Sequence, residues 1–252
     1  MTSILVTGGT GTLGSLVTPL LLAQGLDVRV LSRHDRAPAG GIELVTGDLV
    51  KDEGVDAAVA GAEIVLHLAG GPKGDDVATR NLARAAAKAG VRHLVYISVI
   101  GADRVPLAWL KSKLDAERAV AESGVPWTTL RAAQFHSLTL TMVEKMAKLP
   151  VVPVPGGLRL QPVDAADVAA RLVELALGEP AGLVPDLAGP TVYALGELID
   201  GYLGARGKRR LRLPVRIPGK AGRSYRAGEN LSLDGAVGAR TWEDFLAARL
   251  AS

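Results

Sequence analysis

Three glycines near the start of the chain are spaced Gly8-x-x-Gly11-x-x-Gly14, between an apolar run (Ser3 to Thr7) and a helical pattern (Leu13 to Gln24). In that setting glycine permits a tight turn, lets the backbone approach a pyrophosphate and allows close helix–strand packing. The helix that follows offers free N–H groups to phosphate oxygens. The chemistry implied is dinucleotide binding through Gly8, Thr10, Gly11, Thr12 and Leu13. Ser32-Arg33-His34 end the next strand, where a site for a free ribose 2′-hydroxyl carries an acid. Arg33 suits a 2′-phosphate by charge and bidentate geometry, so NADP(H) is expected over NAD(H). Asp35 is the neighbour that works against that preference.

Other chemistries are excluded or thinly represented. The chain has no cysteine, so thiolate metal sites, disulfides and cysteine nucleophiles are ruled out. His34, His67, His93 and His136 show no ligand-like spacing, and no metal is expected. His136 follows a strand, where a neutral imidazole could act as an acid or base near pH 7.

The elements that must position these residues alternate regularly. Strands are expected at Ser3–Thr7, Asp27–Ser32, Glu43–Thr46, Ile64–Leu68, His93–Ser98 and Trp127–Arg131. Helical patterns fill Leu13–Gln24, Asp76–Ala89 and Lys111–Ser123, closed by Gly25, Gly90 and Gly124. A chain break falls at Gly70-Gly71-Pro72. This alternation predicts an α/β, Rossmann-like, doubly wound parallel sheet with right-handed crossovers. After Leu149, prolines and glycines crowd the sequence, so a long helix ends there. Asp164–Leu177 reads as a further helix and Leu183–Leu187 as a strand. The expected organisation is a dinucleotide-binding domain over 1–149 and a small substrate lobe over 150–252, partly integrated with the sheet.

Composition agrees with such a fold. Hydrophobic residues make up 48% of the 252, charged residues 22% and aromatics only 4%, so the core must be aliphatic. The net charge of +3 is small, and the one basic run, Arg206 to Arg212, lacks interleaved aromatics. It reads as a solvated loop, and no nucleic-acid partner is expected. No apolar stretch reaches the ~20 residues of a membrane span. Met1 leads straight into a strand without a signal-peptide pattern, so a cytoplasmic protein with no membrane partner is expected. Either a monomer or a homodimer fits.

Longer stretches carry a resemblance. ThrGlyGlyThrGlyThrLeuGly (7–14), ValThrGlyAspLeu (45–49), LeuHisLeuAlaGly (66–70), AlaGlyValArgHisLeuValTyrIleSer (89–98), SerGlyValProTrpThrThrLeuArgAlaAlaGlnPheHis (123–136) and GlnProValAspAlaAlaAspValAla (161–169) resemble the atypical, NmrA-like branch of the short-chain dehydrogenase/reductase superfamily. The resemblance implies that Asp48 and Leu49 flank an adenine, and that Leu68, Ala69 and Gly70 pass the ribose and pyrophosphate. It implies that Ile97 and Ser98 end a strand near the nicotinamide, and that Ala133, Gln134 and Phe135 pack on its amide. The superfamily's signature is a Tyr, three residues, then a Lys that binds the nicotinamide ribose and lowers the tyrosine pKa. Lys113 matches the lysine; Trp109 stands in the tyrosine's place, and an indole N–H cannot act as a general acid. Ile100 occupies the position of the usual serine, for which Ser98 could partly substitute.

Two functions follow as expectations. One is an NADP(H)-dependent oxidoreductase acting on a small carbonyl, quinone or enone, with Lys113 and His136 as catalytic residues and Trp109 against the substrate. The other is a non-catalytic NADP(H)-binding redox sensor, in keeping with the missing tyrosine.

Overall fold

The computed structural model describes residues 2–34, 40–71 and 73–250; Asp35 and Pro72 lie outside them. In chain order the elements begin β1 (Ser3–Thr7), α1 (Gly14–Ala23), β2 (Asp27–Ser32), β3 (Ile42–Thr46), α2 (Val55–Val59), β4 (Ile64–His67), α3 (Asp75–Ala89) and β5 (His93–Val99). They continue with α4 (Ala108–Ala121), β6 (Trp127–Ala132), α5 (His136–Ala147), β7 (Val151–Pro155), β8 (Arg159–Leu160), α6 (Ala165–Leu177) and β9 (Gly182–Leu183). The last are β10 (Leu187–Ala188), β11 (Tyr193–Ala194), α7 (Leu195–Ala205), β12 (Leu211–Val215), α8 (Gly219–Ala227), β13 (Ala236–Val237) and α9 (Trp242–Leu250). Among the described residues no helix is long and apolar enough to cross a membrane.

The chain forms two compact units that exchange segments. The first holds Met1–Ser98, Ala108–Arg131 and Val168–Val184; the second holds Val99–Leu107, Ala132–Asp167 and Pro185–Ser252. The single boundary expected between 149 and 150 therefore gives way to an interleaved arrangement. Its cause is α6 and β9, which return the chain to the first unit: Thr128 and Thr129 on β6 pair with Gly182 and Leu183. The single strand expected over Leu183–Leu187 is correspondingly two short strands, one in each unit.

In the first unit the strands run β3-β2-β1-β4-β5-β6. Pairing is parallel, with Ile4 beside both Val28 and Ile64. This is the doubly wound order, reversing between β1 and β4, where open α/β sheets place ligands beyond the strand ends. Helix α3 begins after Gly74 in the left-handed region, carries Asp75 and Asp76 in its first turn and stops at left-handed Gly90. Its buried face, Ala78, Leu82, Ala83, Ala85 and Ala86, packs into a core with Val65, Leu94, Tyr96, Ala116 and Val120. Small alanines let α3 approach the sheet closely. Each fully buried Leu or Val contributes about 1.5–3 kcal/mol before chain entropy is counted.

The second unit has its own core, in which Leu140, Val143, Val152, Leu195, Leu198, Ile199, Trp242 and Leu246 meet. Trp242 is wholly enclosed and donates its indole N–H to the Leu198 carbonyl at 3.2 Å. Within this unit Leu187 pairs with Ala132, and β13 pairs in parallel with β10.

Candidate functional site

The glycine turn lies at the reversal point of the first unit's sheet. Gly8 sits at φ 71° and so close to β4's continuation that a Cβ would come within 2.6 Å of the Ala69 nitrogen. A Cβ on Gly14 would collide with the Gly8 carbonyl. Gly11 differs: its N–H donates to the Gly8 carbonyl at 2.9 Å, and Thr10, Gly11 and Thr12 are exposed. The first turn of α1 carries no side-chain cap. An uncapped helix start beneath a bare, exposed backbone turn fits a pyrophosphate by both shape and partial charge.

Beyond β4, Leu68 and Ala69 are half-buried and Gly70 is exposed. The Leu68 and Ala69 N–H groups donate to the Thr7 carbonyl and to Thr7 Oγ1. Arg33 is exposed just past β2, whereas Ser32 is buried with its hydroxyl bonded to the His34 carbonyl at 2.9 Å. Asp48 Oδ1 accepts the Val50 and Lys51 N–H groups, and so shapes the loop after β3. Leu49 belongs to the first core.

Lys113 is held from three sides. Its Nζ pairs with Asp75 Oδ2 at 2.8 Å, with side chains only 11% and 7% exposed. It lies 5.5 Å from the Tyr96 ring centroid, and a Cβ on Gly70 would stand 3.0 Å from it. Asp75 Oδ1 in turn accepts the Gly71 N–H at 2.6 Å. One carboxylate thus fixes both the lysine and the glycine loop.

A second chain of polar groups runs beneath. His67 Nδ1 is 2.6 Å from Thr7 Oγ1 and its Nε2 is 3.0 Å from Thr79 Oγ1, which donates to the Asp75 carbonyl. His67 stacks on Tyr96 at 5.2 Å. Burial, reinforced by the Lys113 charge, pushes the His67 pKa down to about 3, so this ring is neutral. Burial likewise pushes the Tyr96 hydroxyl well above its ordinary range.

Ser98 points into the first unit. It is buried and donates to Glu117 Oε1 at 2.5 Å, and Glu117 also holds Arg131 through bonds of 2.9 and 2.8 Å. The expectation that Ser98 partly replaces the missing serine is corrected: its hydroxyl is committed to a carboxylate on α4. Trp109 lies one turn before Lys113 on α4 and is 38% exposed. Residues four apart share a helix face, so the indole and the ammonium stand on the same side of α4.

Ala133, Phe135 and His136 fall in the second unit. The Ala133 N–H donates to the Leu187 carbonyl, and Phe135 forms a bridge with Val163. His136 is 1% exposed and stacks on Phe245 at 5.1 Å and against Trp242 at 6.0 Å. Neither ring nitrogen has a hydrogen-bond partner among the described residues. Burial lowers its pKa. The acid–base role expected of His136 is corrected on this geometry, since an enclosed ring presents no nitrogen to a substrate.

The sequence from residue 8 to 178 matches the model of a family described as NAD(P)H-binding. The chain belongs to that NAD(P)H-binding family. It is 34% identical over 181 residues to a (4-alkanoyl-5-oxo-2,5-dihydrofuran-3-yl)methyl phosphate reductase of Streptomyces griseus, covering 69% of this chain and 63% of that protein. It thus spans somewhat less than two thirds of that relative. It is 27% identical over 217 residues to Quinone oxidoreductase 2 of Escherichia coli, covering 82% and 75%. The structure of an NADPH-dependent quinone oxidoreductase from Escherichia coli, complexed with NADPH, superposes with a TM-score of 0.83 at 21% identity, covering 98% and 99%. That likeness shows the fold, an α/β Rossmann-like arrangement around a parallel sheet.

Sequence reasoning missed Asp75, Thr79 and Glu117. Asp75 carried one usable signal, an acid in the first turn of an Ala-rich helix after glycines. That signal is indistinguishable from an acid that merely complements the helix dipole.

Proposed function

We propose that this chain is an NADP(H)-dependent reductase of quinones and enones, with Trp109 against the substrate and Lys113 holding the nicotinamide ribose. The observation that carries this reading is that, among the described residues, none of the hydroxyls expected to serve Lys113 is free to reach a substrate. By the resemblance Trp109 stands where the tyrosine is expected, Tyr96 is buried with its hydroxyl pushed upward, and Ser98 is bound to Glu117. A simple ketone needs a proton as its alkoxide forms, whereas a quinone or enone yields a delocalised anion that solvent can protonate.

The nicotinamide, when bound, supplies the hydride; the chain's residues orient and shield. The bare turn of Gly8 to Gly14 would take the pyrophosphate, with Leu68 to Gly70 alongside. Exposed Arg33 would pair with the 2′-phosphate, and the ion pair with Asp75 holds Lys113 in place. The exposed Trp109 indole offers a flat apolar wall to a planar acceptor. The names of the Streptomyces and Escherichia relatives, a reductase and a quinone oxidoreductase, agree with this choice.

The test is NADPH oxidation across quinones, enones, aldehydes and ketones. Turnover is expected with quinones or enones, Lys113→Ala raising the KM for NADPH by about tenfold or more. Trp109→Tyr should add turnover on unconjugated aldehydes. No turnover with any acceptor, together with an unchanged NADPH affinity in Lys113→Ala, would overturn the proposal; tighter binding of NADH than NADPH would overturn the assignment to Arg33. The missing hydroxyl donor also suits a non-catalytic sensor. A sensor requires unequal affinities for NADP⁺ and NADPH, because a ligand shifts an equilibrium only by differential binding.

A further inference from the structure

Between Arg206 and Arg226 the chain carries nine Lys and Arg and no Asp or Glu. With 29 cations and 26 anions in all, the other residues hold 20 against 26, so the whole positive balance resides in this segment. The solvated loop expected over Arg206–Arg212 is corrected in part: Leu211–Val215 is a strand, β12, paired in parallel with β7.

That pairing sorts the side chains. Arg212 lies beside Val152 and Pro214 beside Val154, while Leu211 lies beside Val151 and Leu213 beside Pro153. Side chains alternate along a strand, so these are the two faces of the small sheet. Val152 and Val154 pack on the second unit's core, and Arg212 pairs with Asp200 on α7. The other face is open: Leu211 is 73% exposed and Leu213 55%, with Val151 and the nearby Leu149 and Ile217 also exposed. Lys208, Arg209, Arg216, Lys220 and Arg223 are exposed, and among the described residues none has a carboxylate partner.

We propose that this face docks on an anionic lipid surface, its leucines entering the headgroup–acyl boundary and its cations meeting lipid phosphates. Aliphatic residues ringed by Arg and Lys match a charged apolar boundary. Nucleic acid fits less well, because single strands are held by exposed aromatic platforms, and the segment's only aromatic, Tyr225, is partly buried. A second copy fits less well too, since a symmetric contact would set one cationic rim against another. Pro153, Pro155 and Pro214 also spoil both strands as templates for further pairing. The contact is peripheral, and the inference is independent of what the first unit reduces.

The experiment is co-sedimentation of the full chain with phosphatidylcholine vesicles, alone or with about a third phosphatidylglycerol. Binding to the anionic vesicles is expected, falling about tenfold or more at 1 M salt, where the Debye length is roughly 3 Å. Lys208→Ser/Arg209→Ser should weaken it comparably, and so should Leu211→Ser/Leu213→Ser, with thermal unfolding unchanged in both. Failure to bind anionic vesicles at low salt overturns the proposal. So does binding that ignores the leucine substitutions and is displaced by an oligonucleotide, which would assign the cations to nucleic acid. So does a dimer that the leucine substitutions dissolve while lipid binding is absent.

Discussion

Lys113 in the first unit and His136 in the second are both nearly out of solvent, yet their burials are opposite in kind. Lys113 has the Asp75 carboxylate at 2.8 Å and stands over the face of Tyr96. His136 is flanked by Phe245, which stacks on its ring, and by Trp242, tilted against it; neither satisfies a nitrogen. The first arrangement gives a side chain a polar partner where bulk water is scarce; the second packs an ionisable ring among apolar ones. Burial alone therefore says little about chemical capacity. What decides it is whether the neighbours replace the water that was lost.

The contrast breaks most visibly at Asp75. Asp75→Ala leaves Lys113 buried without its anion and should destabilise the protein by about 3–5 kcal/mol in denaturant titration. Adding Lys113→Ala should recover part of that loss, because the uncompensated charge goes with it. A full additive loss in the double variant would mean that the pair does not interact as described.

A smaller effect separates two buried histidines. His67→Phe removes one of two hydrogen-bond partners from each of Thr7 and Thr79, which now share its nitrogens, and should cost about 2 kcal/mol. The same ring also sets an acid limit. Its pKa is lowered from 6.5 to about 3 by burial, so the folded protein disfavours its protonation. The stability this gives is complete above pH 6.5 and drains away as pH falls towards 3, by up to ~1.4 kcal/mol per unit. Urea unfolding over that range should show a shallower acid dependence in His67→Phe than in the parent. His136→Phe should change least, within about 0.5 kcal/mol, because no hydrogen bond is lost. A large loss there would reveal a polar role for His136.

Local features were legible in the sequence, and tertiary pairings were not. The glycine turn and the bounds Ser3–Thr7 and Asp27–Ser32 could be read because spacing and periodicity are properties of consecutive residues. The expected start of α3 at Asp76 missed the preceding acid, whose partner on α4 lies far along the chain. Ser98 looked available because Glu117 becomes its neighbour only when α4 packs on the sheet. His136 looked poised for catalysis because Trp242 and Phe245, which enclose it, come near the end of the described chain. Strand β12 hid inside a cationic run, since its strand character is conferred by β7 rather than by its own composition.

The exchange of segments between the units bears on how the molecule is made. A ribosome that has released everything through Arg131 has delivered six parallel strands, but not β9, which pairs with the last of them. The first unit waits for Val168–Val184, and to reach them synthesis must pass through Ala132–Asp167, which belong to the other. The second unit waits in turn for Pro185–Ser252. The first unit therefore cannot be finished until part of its neighbour has been translated, and the second cannot be finished before the first. A nascent chain halted between 132 and 167 would hold an open flank on β6, the kind of unpaired strand edge that invites aggregation and chaperone capture.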